Sequence, residues 1–243
     1  MKLRLDKALL LRGLATSRQQ AQALIGAGQV LVNDRIIDKA GTLIPDEAAI
    51  EVKERCPYVS RGGYKLAKGL DFFHINPAGF ICADVGASTG GFTDCLLQNG
   101  AARVYAIDVG YGQLDWKLRQ DPRVVVMERT NARHLQPGDL PEPLDLAVID
   151  ASFISLKLLL PPLLPFFRSK VAILALIKPQ FEVGRGKVGK GGVVKDSLLH
   201  DEVTGEISTF AESLNLTSLG ITESPILGPK GNKEFLIFFA GKE

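Results

Sequence analysis

The chain has 243 residues, of which 46% are hydrophobic and 23% charged, which suits one large domain, alone or with a small one. Three scattered cysteines exclude a disulfide framework and a cysteine metal site, and the three histidines share no ligand spacing, so no metal is implied. The charged amino terminus excludes an export signal, and the longest apolar segment, 154–167, is too short to span a membrane. We therefore expect a cytoplasmic protein.

The basic charge is concentrated at the front of the chain, although the formal net charge is only +2. Residues 1–70 hold 12 Lys and Arg against 7 Asp and Glu, a surplus of +5, whereas residues 71–243 hold 17 against 20, a balance of −3. A small basic domain has the charge expected of a protein that binds a phosphate backbone. A surplus of this size also fits an ordinary solvated surface.

The first fifty residues predict two short helices followed by a small sheet. Apolar residues recur at helical spacing from Leu5 and stop near Gly13, and Ser17 with Gln20 forms a capping box at the start of a second helix. Residues 29–32 and 35–37 predict a hairpin, and residues 50–52 are placed to close the small sheet.

Three segments of this region resemble the small RNA-binding domain named after ribosomal protein S-four: RLDKAL at 4–9, GLATSR at 13–18 and GQVLVN at 28–33. The resemblance implies that basic residues of the two helices face RNA. The candidates for RNA binding are Arg4, Lys7, Arg12, Arg18, Arg35 and, from the following segment, Arg61. The alternative is that these charges belong to a solvated surface. We predict that this small α+β domain occupies residues 1–55, that 56–63 form a linker, and that 64–243 form a second domain.

A helix that includes Leu66 and Leu70 is predicted directly after the linker. Lys65 falls in its first turn, where a positive charge faces the unfavourable end of the helix dipole. A cation placed there indicates a role other than helix stability. A surface lysine remains the alternative, because the penalty is only ~0.3–1 kcal/mol.

The most informative stretch is FICADVGASTGGFT at 80–93, in which an apolar run, a glycine-rich turn and a helix start follow one another. This is the ligand-binding turn after the first strand of a doubly wound sheet. The glycine spacing does not match the G-x-G-x-x-G of dinucleotide sites, and it favours S-adenosylmethionine, which has no phosphate. An ordinary turn without a ligand is the alternative. The candidate cofactor-binding residues here are Asp84, Gly86, Ala87, Ser88, Gly90, Gly91 and Phe92.

Further apolar runs at 103–108, 124–127, 144–149 and 171–177 predict the other strands of the sheet. Because the last two are almost continuously apolar, the sheet is expected to be covered on both faces, which indicates a doubly wound, mostly parallel α/β fold. Asp108 is placed to accept hydrogen bonds from a ribose diol, and Asn131 to reach an adenine edge. A mobile basic loop at 184–192, a helix at 196–214 and a final strand that begins at Glu234 complete the prediction.

Four polar residues are predicted to converge. Asp150 and Lys178 end neighbouring parallel strands, so both point into the crevice above the glycine turn. If the last strand is antiparallel, Glu234 begins at the same edge, and Lys65 completes the set. This arrangement suits methyl transfer to a ribose hydroxyl, because the protein must mainly align the reacting atoms and manage one proton. Lys178 either takes that proton or holds the oxygen while solvent takes it.

The full chain resembles the hemolysin-A-like (TlyA) family of ribosomal RNA 2′-O-methyltransferases, which is related to the FtsJ-type ribose methyltransferases. The matching segments are VSRGGYKL at 59–66, the glycine stretch, DASFIS at 150–155, LIKPQFE at 176–182 and GNKE at 231–234. The resemblance implies that Lys65, Asp150, Lys178 and Glu234 form the catalytic tetrad, and that the target is a cytidine ribose in ribosomal RNA or ribosomal subunits. The linker at 54–57 lacks an aromatic residue found in some members, which leaves domain coupling and the choice of subunit open.

Three other functions were weighed. A non-catalytic RNA-binding or ribosome-assembly protein would have no need for polar groups at the ends of three strands. A nicotinamide-dependent oxidoreductase is disfavoured by the glycine spacing. A pseudouridine synthase would need a catalytic Gly-Arg-Leu-Asp segment, and Arg4-Leu5-Asp6 lies too early in the chain to serve.

Overall fold

The computed structural model describes residues 2–26, 28–52, 56–168, 170–189 and 191–241. The chain divides into two compact units, Met1–Pro57 and Tyr58–Glu243, which are considered separately below. Residues 53–55, beside the predicted linker, and Lys190 of the predicted basic loop lie outside the described residues. Within the described ranges, none of the helices combines the length and the apolar character needed to cross a membrane.

The small unit contains two helices and five short strands, arranged as a three-stranded and a two-stranded sheet. The elements are β1 (Lys2–Arg4), α1 (Leu5–Leu11), α2 (Arg18–Gly26), β2 (Val30–Val32), β3 (Arg35–Ile36), β4 (Leu43–Pro45) and β5 (Ile50–Val52). Strand β2 pairs antiparallel with both β3 and β5, so the predicted hairpin and closing strand are confirmed. The β1–β4 pair was not predicted, because three-residue strands carry too little alternation to be recognised.

The start of α2 explains why the chain turns there. The Ser17 hydroxyl accepts a hydrogen bond from the Gln20 backbone N–H at 3.1 Å, as predicted for a capping residue. The Gln20 side chain reaches back to the Thr16 N–H at 2.6 Å, one residue earlier than in a standard capping box. The helix then packs Ala21 and Ile25 into the core of the small unit.

The large unit is built on one seven-stranded sheet with the order β11-β12-β10-β9-β6-β7-β8. Its strands are β6 (Ile81–Val85), β7 (Arg103–Ile107), β8 (Val124–Met127), β9 (Leu146–Ile149), β10 (Ala172–Ile177), β11 (Leu216–Glu223) and β12 (Phe235–Gly241). Its helices are α3 (Gly62–Phe72), α4 (Gly91–Gln98), α5 (Trp116–Arg119), α6 (Leu160–Leu163), α7 (Pro179–Glu182) and α8 (Ser197–Ser213). The strand order reverses direction between β6 and β9, which is where doubly wound sheets bind their ligands.

Both faces of this sheet are covered, as the apolar strands predicted. Within β9, Ala147 and Ile149 pack into one apolar cluster, whereas Leu146 and Val148 pack into the cluster on the opposite face. The five central strands run parallel, so the predicted doubly wound, mostly parallel α/β fold is confirmed.

The last two strands are antiparallel additions at one edge of the sheet. Strand β12 pairs antiparallel with β10 and places Phe235 opposite Ile177. The residue before Phe235 and the residue after Ile177 therefore lie at the same edge, which brings Glu234 beside Lys178. Strand β11 was not predicted, because its outer face is exposed and its sequence lacks the continuous apolar run of the inner strands.

Candidate active site

The glycine turn after β6 is shaped by contact with a second loop. Gly86 has φ +86°, and a Cβ there would lie 2.9 Å from both the Ala151 Cα and the Asp150 carbonyl oxygen. Only glycine combines this backbone conformation with so close an approach. The turn is therefore fixed against the loop that carries Asp150.

Asp84 and Gly90 take part in this turn from behind. Asp84 is fully buried, and its Oδ2 accepts hydrogen bonds from the backbone N–H and the hydroxyl of Thr93 at 2.8 and 2.7 Å. Burial raises the pKa of Asp84 to about 7. Gly90 has φ +96°, and a Cβ there would overlap the Leu118 side chain. Neither residue lines the cavities described below, so the prediction of direct cofactor contact is corrected: both hold the turn and the start of α4.

A cavity of about 460 Å³, here called the cofactor cavity, opens beside the turn. Asp108 lies on its wall, where its carboxylate accepts hydrogen bonds from the N–H groups of Ser88 at 2.8 Å and Gly110 at 2.6 Å. Asn131 also lines it, but the side-chain oxygen accepts from the Arg133 N–H, which leaves the amide nitrogen for a ligand. The remaining wall includes Val109, Ala132, Phe153, Ile154 and Leu159.

A second cavity of about 400 Å³, here called the substrate cavity, adjoins the first. The predicted residues Ala87, Gly91 and Phe92 line it, together with Arg61. The residues that line both cavities are Gly86, Ser88, Asp150 and Ser152. A ligand in one cavity would therefore meet a ligand in the other beside Asp150.

The four residues predicted to be catalytic lie together at this junction. The Lys65 ammonium, from α3, donates a hydrogen bond to Glu234 Oε2 at 2.7 Å and lies 3.8 Å from Asp150 Oδ2. The Lys178 ammonium lies 2.6 Å from Asp150 Oδ1. The result is a continuous row of alternating charges, Glu234, Lys65, Asp150 and Lys178, with no net charge. Pairing of this kind is what allows charged groups to be buried.

Two further residues support this row, and sequence reasoning missed both of them. The Ser152 hydroxyl accepts a hydrogen bond from Lys178 at 2.9 Å. A Cβ on Gly228 would overlap Glu234 Oε1, an atom that has no hydrogen-bond partner among the described residues. Ser152 stands in the DASFIS segment that carried the family resemblance, so the signal was present. Gly228 gave no signal, because its closeness to Glu234 depends on the path of the 228–234 turn.

A third cavity of about 270 Å³, here called the aromatic cavity, adjoins Lys178 and Ser152. Phe153 and Phe181 form part of its wall, with ring centres 4.9 Å apart. Phe153 is 90% exposed and has φ +64°, an uncommon conformation for a residue that is not glycine. The backbone therefore presents a large aromatic ring to solvent beside the charged row.

Comparison with known proteins identifies the family. The model for FtsJ-like methyltransferases matches residues 58–240, and the model for the S4 domain matches residues 3–50. The 16S/23S rRNA (cytidine-2′-O)-methyltransferase TlyA of Mycobacterium tuberculosis is 50% identical over 238 residues, which cover 97% of this chain and 88% of that protein. The chain belongs to the TlyA family of FtsJ-like methyltransferases.

Two other relatives of this TlyA-family chain carry the name hemolysin. Hemolysin A of Brachyspira hyodysenteriae is 40% identical and covers 98% of this chain and 99% of its own length. A solved structure named as a hemolysin from Streptococcus thermophilus matches with a TM-score of 0.78 and 43% identity, covering 100% of this chain and 89% of that one. The predicted methyltransferase fold and the S4 domain at the amino terminus are thus confirmed.

The S4 domain places its predicted RNA-binding residues in three different settings. Arg4 and Arg18 both pair with Asp6 Oδ2, at 2.9 and 3.2 Å, and remain 44% and 61% exposed. The Arg12 side chain donates hydrogen bonds to the backbone carbonyls of Ala48, at 2.6 Å, and of Asp46. Arg12 therefore has a structural role, which corrects the prediction of a side chain free to bind RNA. Lys7 and Arg35 are exposed in the small unit, and Arg61 is exposed in the large one.

Asp6 is the centre of this small cluster. It is fully buried and accepts hydrogen bonds from the Arg4 and Arg18 guanidinium groups and from the Gln22 amide. The hydrogen bond from Arg4 holds the pKa of Asp6 well below its usual range. One buried carboxylate thus fixes two exposed guanidinium groups close together, an arrangement suited to binding phosphate.

Proposed function

We propose that this chain transfers the methyl group of S-adenosylmethionine to the 2′-hydroxyl of a cytidine ribose in ribosomal RNA. The observation that carries the proposal is the row Glu234, Lys65, Asp150 and Lys178, at the junction of two cavities of suitable size for a nucleoside. The relative from M. tuberculosis is named for this reaction. A protein that only bound RNA would gain nothing from burying two lysines and two acids at one point, because buried charges are costly to desolvate.

The residues of the cofactor cavity fit S-adenosylmethionine. Asp108 offers a carboxylate to a ribose diol, and Asn131 offers an amide nitrogen to an adenine edge beside an apolar wall. Gly86 leaves room that a Cβ would fill, at the point where the cofactor and substrate cavities join. When bound, the cofactor supplies a methyl group already activated by its sulfonium. The protein supplies binding, alignment and the handling of one proton.

Lys178 is the proposed contact for the ribose oxygen. Its nitrogen lies 2.6 Å from Asp150 Oδ1 and donates hydrogen bonds to the Asp150 carbonyl at 3.3 Å and to Ser152 at 2.9 Å. Three surrounding oxygens suit an ammonium, which has three donors and no acceptor. This supports the version of the mechanism in which Lys178 stays charged and holds the oxygen while solvent takes the proton. Asp150, between two lysines, orients both.

The base of the target nucleotide has a place beside this contact. The aromatic cavity shares Lys178 and Ser152 with the substrate cavity and has Phe153 and Phe181 in its wall. Proteins that modify single-stranded RNA commonly stack the exposed base on aromatic side chains. We therefore assign the aromatic cavity to the base of the cytidine whose ribose lies against Lys178.

The partner of the small domain is proposed to be ribosomal RNA, free or within ribosomal subunits. The paired guanidinium groups of Arg4 and Arg18 carry this part, with Lys7 and Arg35 exposed on the same unit and Arg61 in the substrate cavity. We propose the division made from the sequence: RNA-binding residues 1–55, linker 56–63 and methyltransferase residues 64–243. A substrate of this kind places the protein in the cytoplasm.

Transfer of radioactive methyl groups from S-adenosylmethionine into purified ribosomal subunits tests the function. We expect the wild type to label RNA at a ribose, and Lys178→Ala to abolish labelling while it leaves cofactor binding nearly intact. Mapping of ribose methylation in cells with and without the gene then identifies the nucleotide. A folded wild-type protein that binds RNA but transfers no methyl group would support the non-catalytic alternative.

A further inference from the structure

Lys178 is held by two side chains, and they differ in kind. Asp150 offers a negative charge at 2.6 Å together with its own backbone carbonyl. Ser152 offers only a neutral hydroxyl, at 2.9 Å. The charged partner and the backbone partner are strong or fixed, whereas a serine hydroxyl can turn away by rotation about a single bond.

The position of Ser152 is as informative as its hydrogen bond. Among the residues that the structure describes, Ser152 alone lines the cofactor, substrate and aromatic cavities together. Its hydroxyl therefore lies where a methyl donor, a ribose and a base would meet. The hydrogen bond to Lys178 directs the ammonium toward this meeting point and away from the backbone of Asp150.

We propose that Ser152 is a positioning residue for methyl transfer, an inference that rests on the proposed function. Its hydroxyl holds Lys178 in the direction of the cavities before RNA binds, and it gives up its hydrogen bond when the ribose 2′-hydroxyl arrives. The incoming oxygen thus replaces a neutral hydroxyl with another one. Lys178 does not have to leave Asp150, and the ammonium needs little reorganisation to hold the reacting oxygen.

Three variants separate positioning from structure. Ser152→Ala removes the hydroxyl, and Ser152→Thr retains it. Ser155→Ala makes the same change in the same loop, but the Ser155 hydroxyl bonds Glu182 at 2.6 Å and does not contact Lys178. We expect Ser152→Ala to lower kcat by about 10- to 100-fold, the loss associated with misplacement of a reacting group, with little change in KM for ribosomal subunits. Ser152→Thr restores most of kcat, and Ser155→Ala leaves it within about twofold of the wild type, because its lost hydrogen bond does not orient the reacting groups.

A second measurement does not depend on activity. The side-chain nitrogen of Lys178 can be observed by NMR in protein labelled with ¹⁵N-lysine, and its signal assigned by its absence from Lys178→Arg. We expect Ser152→Ala to speed proton exchange at this nitrogen, and Ser155→Ala to leave it unchanged.

The results distinguish the two proposals. If the wild type methylates RNA and Ser152→Ala keeps both its kcat and its NMR exchange rate, Ser152 has no positioning role and the function stands. Equal losses of kcat in Ser152→Ala and Ser152→Thr would also overturn the inference, because the hydroxyl would then be irrelevant. A wild type that transfers no methyl group would end both proposals together.

Discussion

Lys65 and Glu234 are separated by 169 positions in the sequence, yet the ammonium of one donates a hydrogen bond to the carboxylate of the other at 2.7 Å. The Glu234 side chain has no exposed surface, and that of Lys65 is almost as deeply buried. This ion pair ties α3, at the start of the large unit, to the beginning of the last strand of its sheet. Its contribution to stability and its contribution to catalysis are different quantities, and they can be separated.

Removal of one member of the pair is expected to harm both. Lys65→Met leaves the Glu234 carboxylate buried without its hydrogen-bond donor, and loss of one partner from a buried pair typically costs about 3–5 kcal/mol. The double variant Lys65→Met with Glu234→Gln removes both charges and is expected to recover most of that stability, but no methyl transfer. Urea unfolding and methylation of ribosomal subunits measure the two effects.

The contrary result for this pair is clear. If the double variant methylates at the wild-type rate, then neither residue takes part in catalysis. If it is no more stable than Lys65→Met alone, the cost does not come from the unpaired carboxylate.

Gly228 is expected to be essential although it has no functional group. A Cβ there would overlap Glu234 Oε1, so Gly228→Ala should push the carboxylate away from Lys65. We expect methyl transfer to fall at least about tenfold, equivalent to about 1.4 kcal/mol in the barrier, in a protein that still folds. Gly184→Ala is the matched control, because a Cβ at that position has no neighbour within 4 Å. Steady-state rates of the two variants that fell equally would argue against the steric explanation.

Asp84 is expected to make stability depend on pH in an uncommon direction. Its pKa is raised to about 7 by burial, against about 3.9 for an unfolded aspartate. The folded state therefore binds more protons than the unfolded state between these values. The contribution of Asp84 is fully present below pH ~4 and is lost as the pH rises through about 7.

Asp84→Asn removes this titration and keeps an oxygen that can accept from Thr93. We expect the free energy of unfolding of Asp84→Asn, relative to the wild type, to rise as the pH increases from about 4 to 8, by about 1.4 kcal/mol for each pKa unit between the folded and unfolded values. Urea unfolding followed by circular dichroism at several pH values measures it. Asp201→Asn, at an exposed position on α8, is the control. A constant difference across this range would show that Asp84 is ionised throughout.

Asp6 offers a test in which orientation and net charge oppose each other. Asp6→Asn adds one positive charge to the small unit, so long-range electrostatics alone would strengthen RNA binding. It also removes the carboxylate that holds Arg4 and Arg18 together, and we expect binding to weaken by about 5- to 10-fold, the range for hydrogen bonds to charged groups.

The matched control is Asp38→Asn, which adds the same charge at an exposed position of the same unit. It should leave RNA affinity unchanged or slightly higher. Filter binding at several salt concentrations compares the variants. If Asp6→Asn also binds more tightly, the two arginines act only as diffuse charge.

The inner strands and the charged row could be predicted because they depend on simple regularities. Parallel strands buried on both faces are continuously apolar, and their polar end residues, such as Asp150 and Lys178, must share one edge of the sheet. Glu234 could be added because an antiparallel last strand begins at that edge. The observed pairing of Phe235 with Ile177 confirms the condition on which that step depended.

Other features could not be read from the sequence for physical reasons. An aspartate at the end of a strand looks the same whether it faces a ligand or, as Asp84 does, the start of the next helix. Arg12 is indistinguishable by sequence from an arginine that binds RNA, since its backbone partners lie more than thirty positions away. Strand β11 escaped prediction because an edge strand with one exposed face need not be continuously apolar.

The late position of Glu234 has a consequence for the timing of synthesis. Domains fold as they emerge during translation, beginning at the amino terminus, so the S4 domain can be complete long before the large sheet is. Lys65 is made early, but the carboxylate that neutralises it belongs to the final strand of that sheet and arrives 169 residues later. A nascent chain can therefore acquire its RNA-binding surface while it is still unable to methylate, and the ribosome that is producing it is protected from premature modification by that same molecule.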